Sequence, residues 1–555
     1  MMGKKTAAKL LAVLFVLATV LSLCACGAQQ QEAAATYRVA MAVADITPDR
    51  DVYLQGYESE GPKSMANYPQ DFTSDIQARI LIVDNGEDRM VFLSMEIISS
   101  SAETGDHNLS VESVDAIAKI CGTERRNVIL SNSHSHQSYM HLTLREEKNI
   151  VEAVKEASQR LVPAKVGVSK ACTQFGISRG SDYSIDKTMP YDSLMDVIRF
   201  DNALTGEPIG CVYAVPMHNT MFGNGTEVNH DKLSCEFTGY ASRAVEAAMA
   251  EQNPNFVAMH VNGFYGNAGP YIDGRWRAGT PEKLQENGAA FGAEILEIFN
   301  NTETAPATGT IKNASAEGTL PIRPDYQGNF GDLEEMPLVV TLGAFGDIGY
   351  VGVNYEPYSV MAAKLKAESP YKVLMPASIV NGWKGYIPTE EAVALHESGN
   401  YQAECGHDKS PFDEAAEEPF YNQVLAAVCD MAGVSLTRVA STAGAVQTQE
   451  GKAVYTFTME EAAALDKLVI SFRQDARTDC AMDFTLQALD KGGKEVWSQS
   501  YTGNSTNYRG EFMDGAEVAT VVMTVSTRFS SDMEPTTEGI AELTPEIWGI
   551  QFAEK

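Results

Sequence analysis

The stretch that most restricts the fold lies between residues 78 and 130. Residues 79–83 (Arg-Ile-Leu-Ile-Val) and 90–93 (Met-Val-Phe-Leu) are apolar runs flanking Asp84-Asn85-Gly86-Glu87, the pattern of two strands joined by an Asn-Gly turn. Residues 111–118 then carry apolar side chains at helical spacing, and 128–130 return to a short apolar strand. A chain that leaves a sheet through a helix and re-enters it must lay that helix on a sheet face, so the expected class is α/β, with mixed sheets covered by helices. The alternation recurs with predicted helices over 150–161 and 238–249 and a buried strand over 256–259.

Beyond about residue 434 the helical spacing stops. Apolar runs at 453–457, 468–472, 484–486 and 518–523 alternate with polar turns, which predicts a smaller C-terminal all-β sandwich over 441–555, of Ig-like or jelly-roll type. With 555 residues, one large catalytic unit over 38–434 plus this appendage accounts for the length. Acidic side chains outnumber basic ones 74 to 42, a net charge of -32, so nucleic acid is excluded as a partner by repulsion.

Lys4, Lys5 and Lys9 precede an uncharged run of 14 residues over 10–23, the pattern of an export signal and too short for an ordinary membrane-spanning helix. Leu23-Cys24-Ala25-Cys26-Gly27 resembles a bacterial lipobox, which implies a signal over 1–26, lipidation of Cys26 and a flexible tether over 27–37 rich in Gln and Ala. The expected location is extracytoplasmic and membrane-anchored through that lipid; an unlipidated signal cleaved nearby is the other reading. Seven further cysteines lie in the body without C-x-x-C spacing, so they read as small buried apolar residues, with a Cys405–Cys429 disulfide open.

Two segments offer metal-ligand chemistry. Ser133-His134-Ser135-His136 follows the strand over 128–130, and on extended backbone two imidazoles at i and i+2 point to one side. Spacing alone leaves metal ligation and loop hydrogen bonding equally open. Met217-His218-Asn219-Thr220 follows another strand-like run over 211–215.

Six short segments, taken in order, resemble the neutral/alkaline ceramidase family over residues 38–430. They are Val43-Ala44-Asp45-Ile46-Thr47-Pro48, the Ser-His-Ser-His segment, Pro216-Met217-His218-Asn219-Thr220, Gly266-Asn267-Ala268-Gly269, Asn354-Tyr355-Glu356 and Gly385-Tyr386-Ile387-Pro388-Thr389. The resemblance implies a zinc ion held by His134, His218, Glu356 and Tyr386, a donor set that Zn²⁺ accepts. It implies His136 as the base that activates water, Arg179 as a contact for the substrate's polar group, and Tyr386 as a further catalytic group beside the metal. The expected reaction is hydrolysis of the N-acyl bond of a ceramide-like lipid.

The sequence also departs from the family. The family's T-H-T-H-S-G-P stands here as Ser133 to Tyr139 without the glycine and proline, and its S-x-D stands as Ser234-Cys235-Glu236. Its G-D-x-S-P is replaced by Gly269-Pro270-Tyr271-Ile272-Asp273, so the active-site serine is missing. The metal ligands persist while the substrate contacts change. Two alternatives follow: a zinc hydrolase of another amide or ester, such as an acylated sugar or cell-wall amide, and a non-catalytic surface lipoprotein that binds sugars through Trp497, Tyr501, Tyr508 and Trp548. Oligomeric state is open.

Overall fold

The computed structural model describes residues 36–54, 61–67, 72–99, 109–139, 141–179, 190–222, 232–271, 280–324, 326, 333–397, 410–472 and 477–555. The predicted signal, Cys26, all of the tether up to residue 35 and Cys405 lie outside the described residues. Tyr37, read as tether, is buried and its backbone N–H donates to Ala307 O at 2.9 Å, so the folded body begins there.

The first sheet contains β1 (Arg38–Asp45), β2 (Gln77–Asp84), β3 (Arg89–Met95), β4 (Val128–Asn132) and β5 (Val162–Cys172). After the short β6 (Gly176–Ser178) come β7 (Leu194–Asn202), β8 (Pro208–Val215) and β9 (Val257–Asn262), and the strand order is β4-β3-β2-β1-β5-β7-β8-β9. β10 (Ala268–Pro270) pairs with β6, and β11 (Ala305–Pro306) lies on β5. The β2/β3 hairpin closes with Asp84 opposite Arg89, through a four-residue connection in which Asn85 Oδ1 accepts from the N–H groups of Glu87 and Asp88. Within this sheet, among the described residues, β3/β4 and β8/β9 are the parallel pairs, and each is joined by a crossover helix: α1 (Val111–Cys121) in the first case, α3 (Glu236–Met249) in the second. Ser110 caps the start of α1 by accepting from Ser113 N–H. The predicted helix over 150–161 is α2 (Leu144–Gln159), shifted towards the N-terminus because Thr143 and Glu146 form a capping box.

Alternation along β2 sets the layers. Ile80 and Ile82 pack under the helices with Ile117, Val154 and, from α4 (Pro281–Asn300), Phe291 and Ile295. Leu81 and Val83 face the other way, onto a second sheet made of β12 (Ile311–Pro321), β13 (Glu335–Phe345), β14 (Ile348–Val353) and, after the short β15 (Glu356–Pro357), β16 (Val373–Ala377). There they meet Phe345, Ile348, Tyr350 and Met375. The far face of that sheet, with Leu338, Val340 and Leu342, is covered by Phe420, Val424 and Val428 of α7 (Glu417–Ala432). Between them run α5 (Ser359–Glu368), β17 (Tyr386–Ile387), which pairs in parallel with β15, and α6 (Glu390–Glu397). The result is four layers, helix–sheet–sheet–helix, the mixed α/β class expected from the sequence.

The C-terminal unit is all β: β18 (Val434–Val439), β19 (Ser441–Ala443), β20 (Gln447–Gln449), β21 (Lys452–Ser471), β22 (Ala481–Leu489), β23 (Glu495–Tyr501), β24 (Tyr508–Phe529), β25 (Pro535–Thr536) and β26 (Glu546–Glu554). These strands form one continuous hydrogen-bonded sheet rather than two separate ones. Register shifts at Thr458/Ala463 and Leu465/Lys467 interrupt the long β21, and bulges of this kind let a sheet bend around its own core, here Tyr455, Leu468, Phe484 and Val521.

This unit docks on α5. Val360, Ala363 and Ala367 pack against Val469, Tyr508 and Ile550. Beside them the Glu368 carboxylate accepts from Tyr421 Oη (2.7 Å), Arg438 Nε (2.7 Å) and Trp548 Nε1 (3.0 Å). Burial alone would raise its pKa, but the hydrogen bonds from Arg438 and Tyr421 hold it below the usual carboxylate range. The aromatics considered as sugar platforms are therefore mostly structural. Tyr501 and Tyr508 are buried, Trp548 serves the seam and Trp497 packs on the C-terminal core. Of the body cysteines, Cys121, Cys211, Cys235, Cys429 and Cys480 are buried and Cys172 is half-buried, and Cys429 has no disulfide partner among the described residues. No helix among the described residues is long and apolar enough to cross a membrane.

Candidate metal centre

His134 and His218 each lie just beyond the carboxyl end of a strand, β4 and β8, that pairs in parallel with a neighbour. The sheet then ties the two loops together. Asn262, the last residue of β9, donates through Nδ2 to Ser133 O (2.9 Å) and Met217 O (2.8 Å), and His136 N–H donates to Asn219 O at 3.2 Å. The missing glycine and proline of the family's loop are replaced by other anchors: Tyr139 Oη donates to Ile46 O, and Ser135 Oγ donates to Ser234 O at 2.9 Å.

His134 adopts a left-handed backbone, with φ of 57°. The extended geometry assumed for the His-x-His pair is thus absent, and the two imidazoles meet because the turn swings His136 back over its neighbour. His136 Nε2 lies 2.9 Å from His134 Nε2 and 3.1 Å from His218 Nε2. One nitrogen from each of His134, His136 and His218 falls within 4.8 Å of the others, a group able to hold a metal ion.

Glu356 enters this cluster from β15, just beyond the end of β14 in the second sheet. Its Oε2 stands 3.6 Å from His134 Nε2 and 3.7 Å from His218 Nδ1, and its Oε1 accepts from Trp383 Nε1 at 2.6 Å. Burial, and then the neighbouring His136, push the His134 pKa well below its usual value; burial and the charge of Arg179 do the same for His218. Both rings are therefore neutral, as metal ligation requires. His134 Nδ1 sits 2.7 Å from the Ile98 carbonyl, which only a donor can satisfy, so the proton is on Nδ1 and the Nε2 lone pair is left for a ligand. His218 Nδ1 is buried and faces Glu356 Oε2.

These observations test whether a zinc ion fits. A neutral imidazole and a carboxylate at 3.6–3.7 Å are too far apart to hydrogen-bond. Ligand atoms sharing one tetrahedral zinc at bonds of about 2.0–2.1 Å stand ~3.4 Å apart, so the spacing suits a common ion. Tyr386, opposite Glu356 in the β15/β17 pair, is buried and stacks parallel to His218 at 6.4 Å between ring centroids. Arg179 borders the cluster, its guanidinium donating to Gly266 O at 2.6 Å.

Two residues of this region carried no sequence signal of their own. Tyr265 stacks on His134 at 4.5 Å and meets His218 edge-on at 5.4 Å. Its hydroxyl is buried, has no hydrogen-bond partner among the described residues, and stays protonated because burial and then Glu356 raise its pKa. Trp383 is the other; the only hint was that each neighbours a family segment, Gly266-Asn267 and Gly385-Tyr386. Glu236, the altered S-x-D carboxylate, serves the backbone instead. It accepts from Phe222 N–H (2.6 Å) and Phe237 N–H (2.9 Å), and burial pushes its pKa up to about 7. In the replaced G-D-x-S-P segment, Gly269 and Pro270 pair with Ile177 and Gly176, while Ile272 and Asp273 lie outside the described residues.

No protein-family profile matches the chain, and no curated protein sequence matches it. Among solved structures, a ceramidase complexed with C2 aligns at a TM-score of 0.53 and 15% identity, covering 94% of this chain and 99% of that one. The neutral ceramidase from Pseudomonas aeruginosa aligns at 0.52 and 15%, with the same coverage of both chains. The shared architecture runs through both the helix-covered sheets and the C-terminal β unit, and the chain has the fold of the neutral ceramidases.

Proposed function

We propose that this protein is a zinc-dependent amidohydrolase that cleaves the N-acyl bond of a ceramide-like lipid. The observation that carries this reading is the convergence of Glu356 Oε2 on His134 Nε2 and His218 Nδ1, at 3.6 and 3.7 Å, inside a buried cluster of neutral imidazoles. His134, His218 and Glu356 would hold the ion, with Tyr386 as the fourth ligand that the family resemblance supplies. When bound, zinc contributes a Lewis acid that polarises a carbonyl oxygen and acidifies water.

The chain's own groups do the rest. His136 takes the proton of the attacking water, whose oxygen bonds to the acyl carbon. The Tyr265 hydroxyl, and Arg179 from the rim, donate to the oxygen on which negative charge collects. The C–N bond then breaks, and His136 returns its proton to the departing nitrogen, leaving a fatty acid and an amine. Lipidation of Cys26 would anchor the body at a membrane surface, beside a lipid amide substrate.

The test is release of fatty acid from a short-chain ceramide, compared with release from an acylated sugar, each with and without a chelator. Chelator-sensitive release from the ceramide is expected. Release from the acylated sugar alone would move the assignment to that substrate class, and a metal-free protein without turnover on either would refute the reading.

A further inference from the structure

Trp383 is 43% exposed. Its N–H nevertheless points inwards and donates to Glu356 Oε1 at 2.6 Å. The loop that carries it is shaped for this placement. Ile379, Asn381, Gly382 and Gly385 all have positive φ, at 52°, 61°, 111° and 104°, and the last two conformations suit glycine alone. Both ends of the loop are pinned to the segment bearing Glu356: Ile379 N–H donates to Tyr355 O, and Glu356 N–H donates to Gly385 O, each at 3.0 Å.

A carboxylate has two equivalent oxygens and a freely turning χ3, so without a restraint either oxygen, or both, can meet an ion. We propose that Trp383 is a positioning residue whose indole N–H occupies Oε1 of Glu356 and thereby presents Oε2 alone to His134 and His218 as a one-oxygen ligand. The inference rests on the metal site put forward above. A hydrogen bond to a ligating carboxylate is an outer contact of the kind whose loss weakens metal affinity by about 10–100-fold.

The experiment measures Zn²⁺ affinity by chelator competition in wild type, Trp383→Phe, Glu356→Gln and the double variant. Trp383→Phe keeps an aromatic ring and removes the donor. A fall in affinity of about 10–100-fold is expected, with the melting temperature of the metal-free protein unchanged because the ring is half outside. In the Glu356→Gln background, Trp383→Phe should cause no further loss, since the two act through one contact. Co²⁺, which quenches nearby indole fluorescence, should dim wild type and leave Trp383→Phe unquenched in that component. Wild-type zinc affinity in Trp383→Phe, or full additivity in the double variant, would overturn the inference alone. A wild type that binds no zinc would overturn the metal site and the inference with it.

Discussion

Gly266→Ala is the most direct probe of how the fold builds the metal site. Gly266 sits against the strand that carries Glu356, and its N–H donates to Pro357 O at 3.0 Å. A Cβ at this position would lie 2.4 Å from Glu356 O and 2.9 Å from Pro357 O, against an ordinary contact of at least 3.4 Å. The obstacle is backbone, so about 1 Å must be opened between the two segments. Neither side yields freely: Gly266 O accepts from Arg179, and Glu356 N–H is bonded to Gly385 O. Even an equal division of the shift moves the carboxylate by more than the ~0.2 Å tolerance of a metal–ligand distance. The expected cost is ~1–3 kcal/mol of stability from overpacking, together with zinc binding weakened at least ~10-fold. Chelator competition and thermal melting of the metal-free protein read the two effects separately. Gly269→Ala is the internal control, because its Cβ would meet only the flexible Arg179 side chain at 3.3 Å and should leave zinc affinity nearly unchanged. Wild-type zinc affinity in Gly266→Ala would refute the argument that this close approach sets the position of Glu356.

Tyr265→Phe keeps the stack on His134 and deletes only the hydroxyl; kcat on a short-chain ceramide should fall ~100-fold with KM and zinc content near wild type, and an unchanged kcat would remove Tyr265 from the reaction. His134→Ala should lose both bound zinc and turnover, and full turnover in that variant would sink the ligand assignment. The seam with the C-terminal unit makes a separate prediction about pH. Lys467 is buried and donates to Lys366 O (3.2 Å) and Ser369 O (2.8 Å), and burial followed by the charge of Lys170 pushes its pKa down to about 7. Between about pH 7 and its unfolded value near 10.5, the unfolded chain holds a proton the folded protein lacks, so stability rises with pH by up to ~1.4 kcal/mol per unit from this group. Lys467→Met should flatten that rise in denaturant titrations, and a slope identical to wild type would show that Lys467 stays charged in the fold.

Local pattern alone gave the alternation of strand and helix from β2 to β4, because strand period, helix period and the Asn-Gly turn are properties of neighbouring residues. It also separated the helix-poor C-terminal region from the body. The short ordered segments pointed to His134, His218, Glu356 and Tyr386. Other features have no pattern of their own in the chain. Asn262 binding the loops of both His134 and His218 is a contact between distant segments; the left-handed turn at His134 that brings in His136 is a local conformation that spacing does not announce. Tyr265 and Trp383 gain their positions by stacking on His134 and hydrogen-bonding to Glu356, contacts with no periodicity or spacing to announce them. The same holds for the aromatics of the C-terminal unit, whose burial in a core or a seam depends on how one long sheet bends and where it docks. Sequence determined the elements and the chemical types of the donors. Only the tertiary packing that brings β15, and Glu356 with it, against the loops of the histidines decided that those donors share one place.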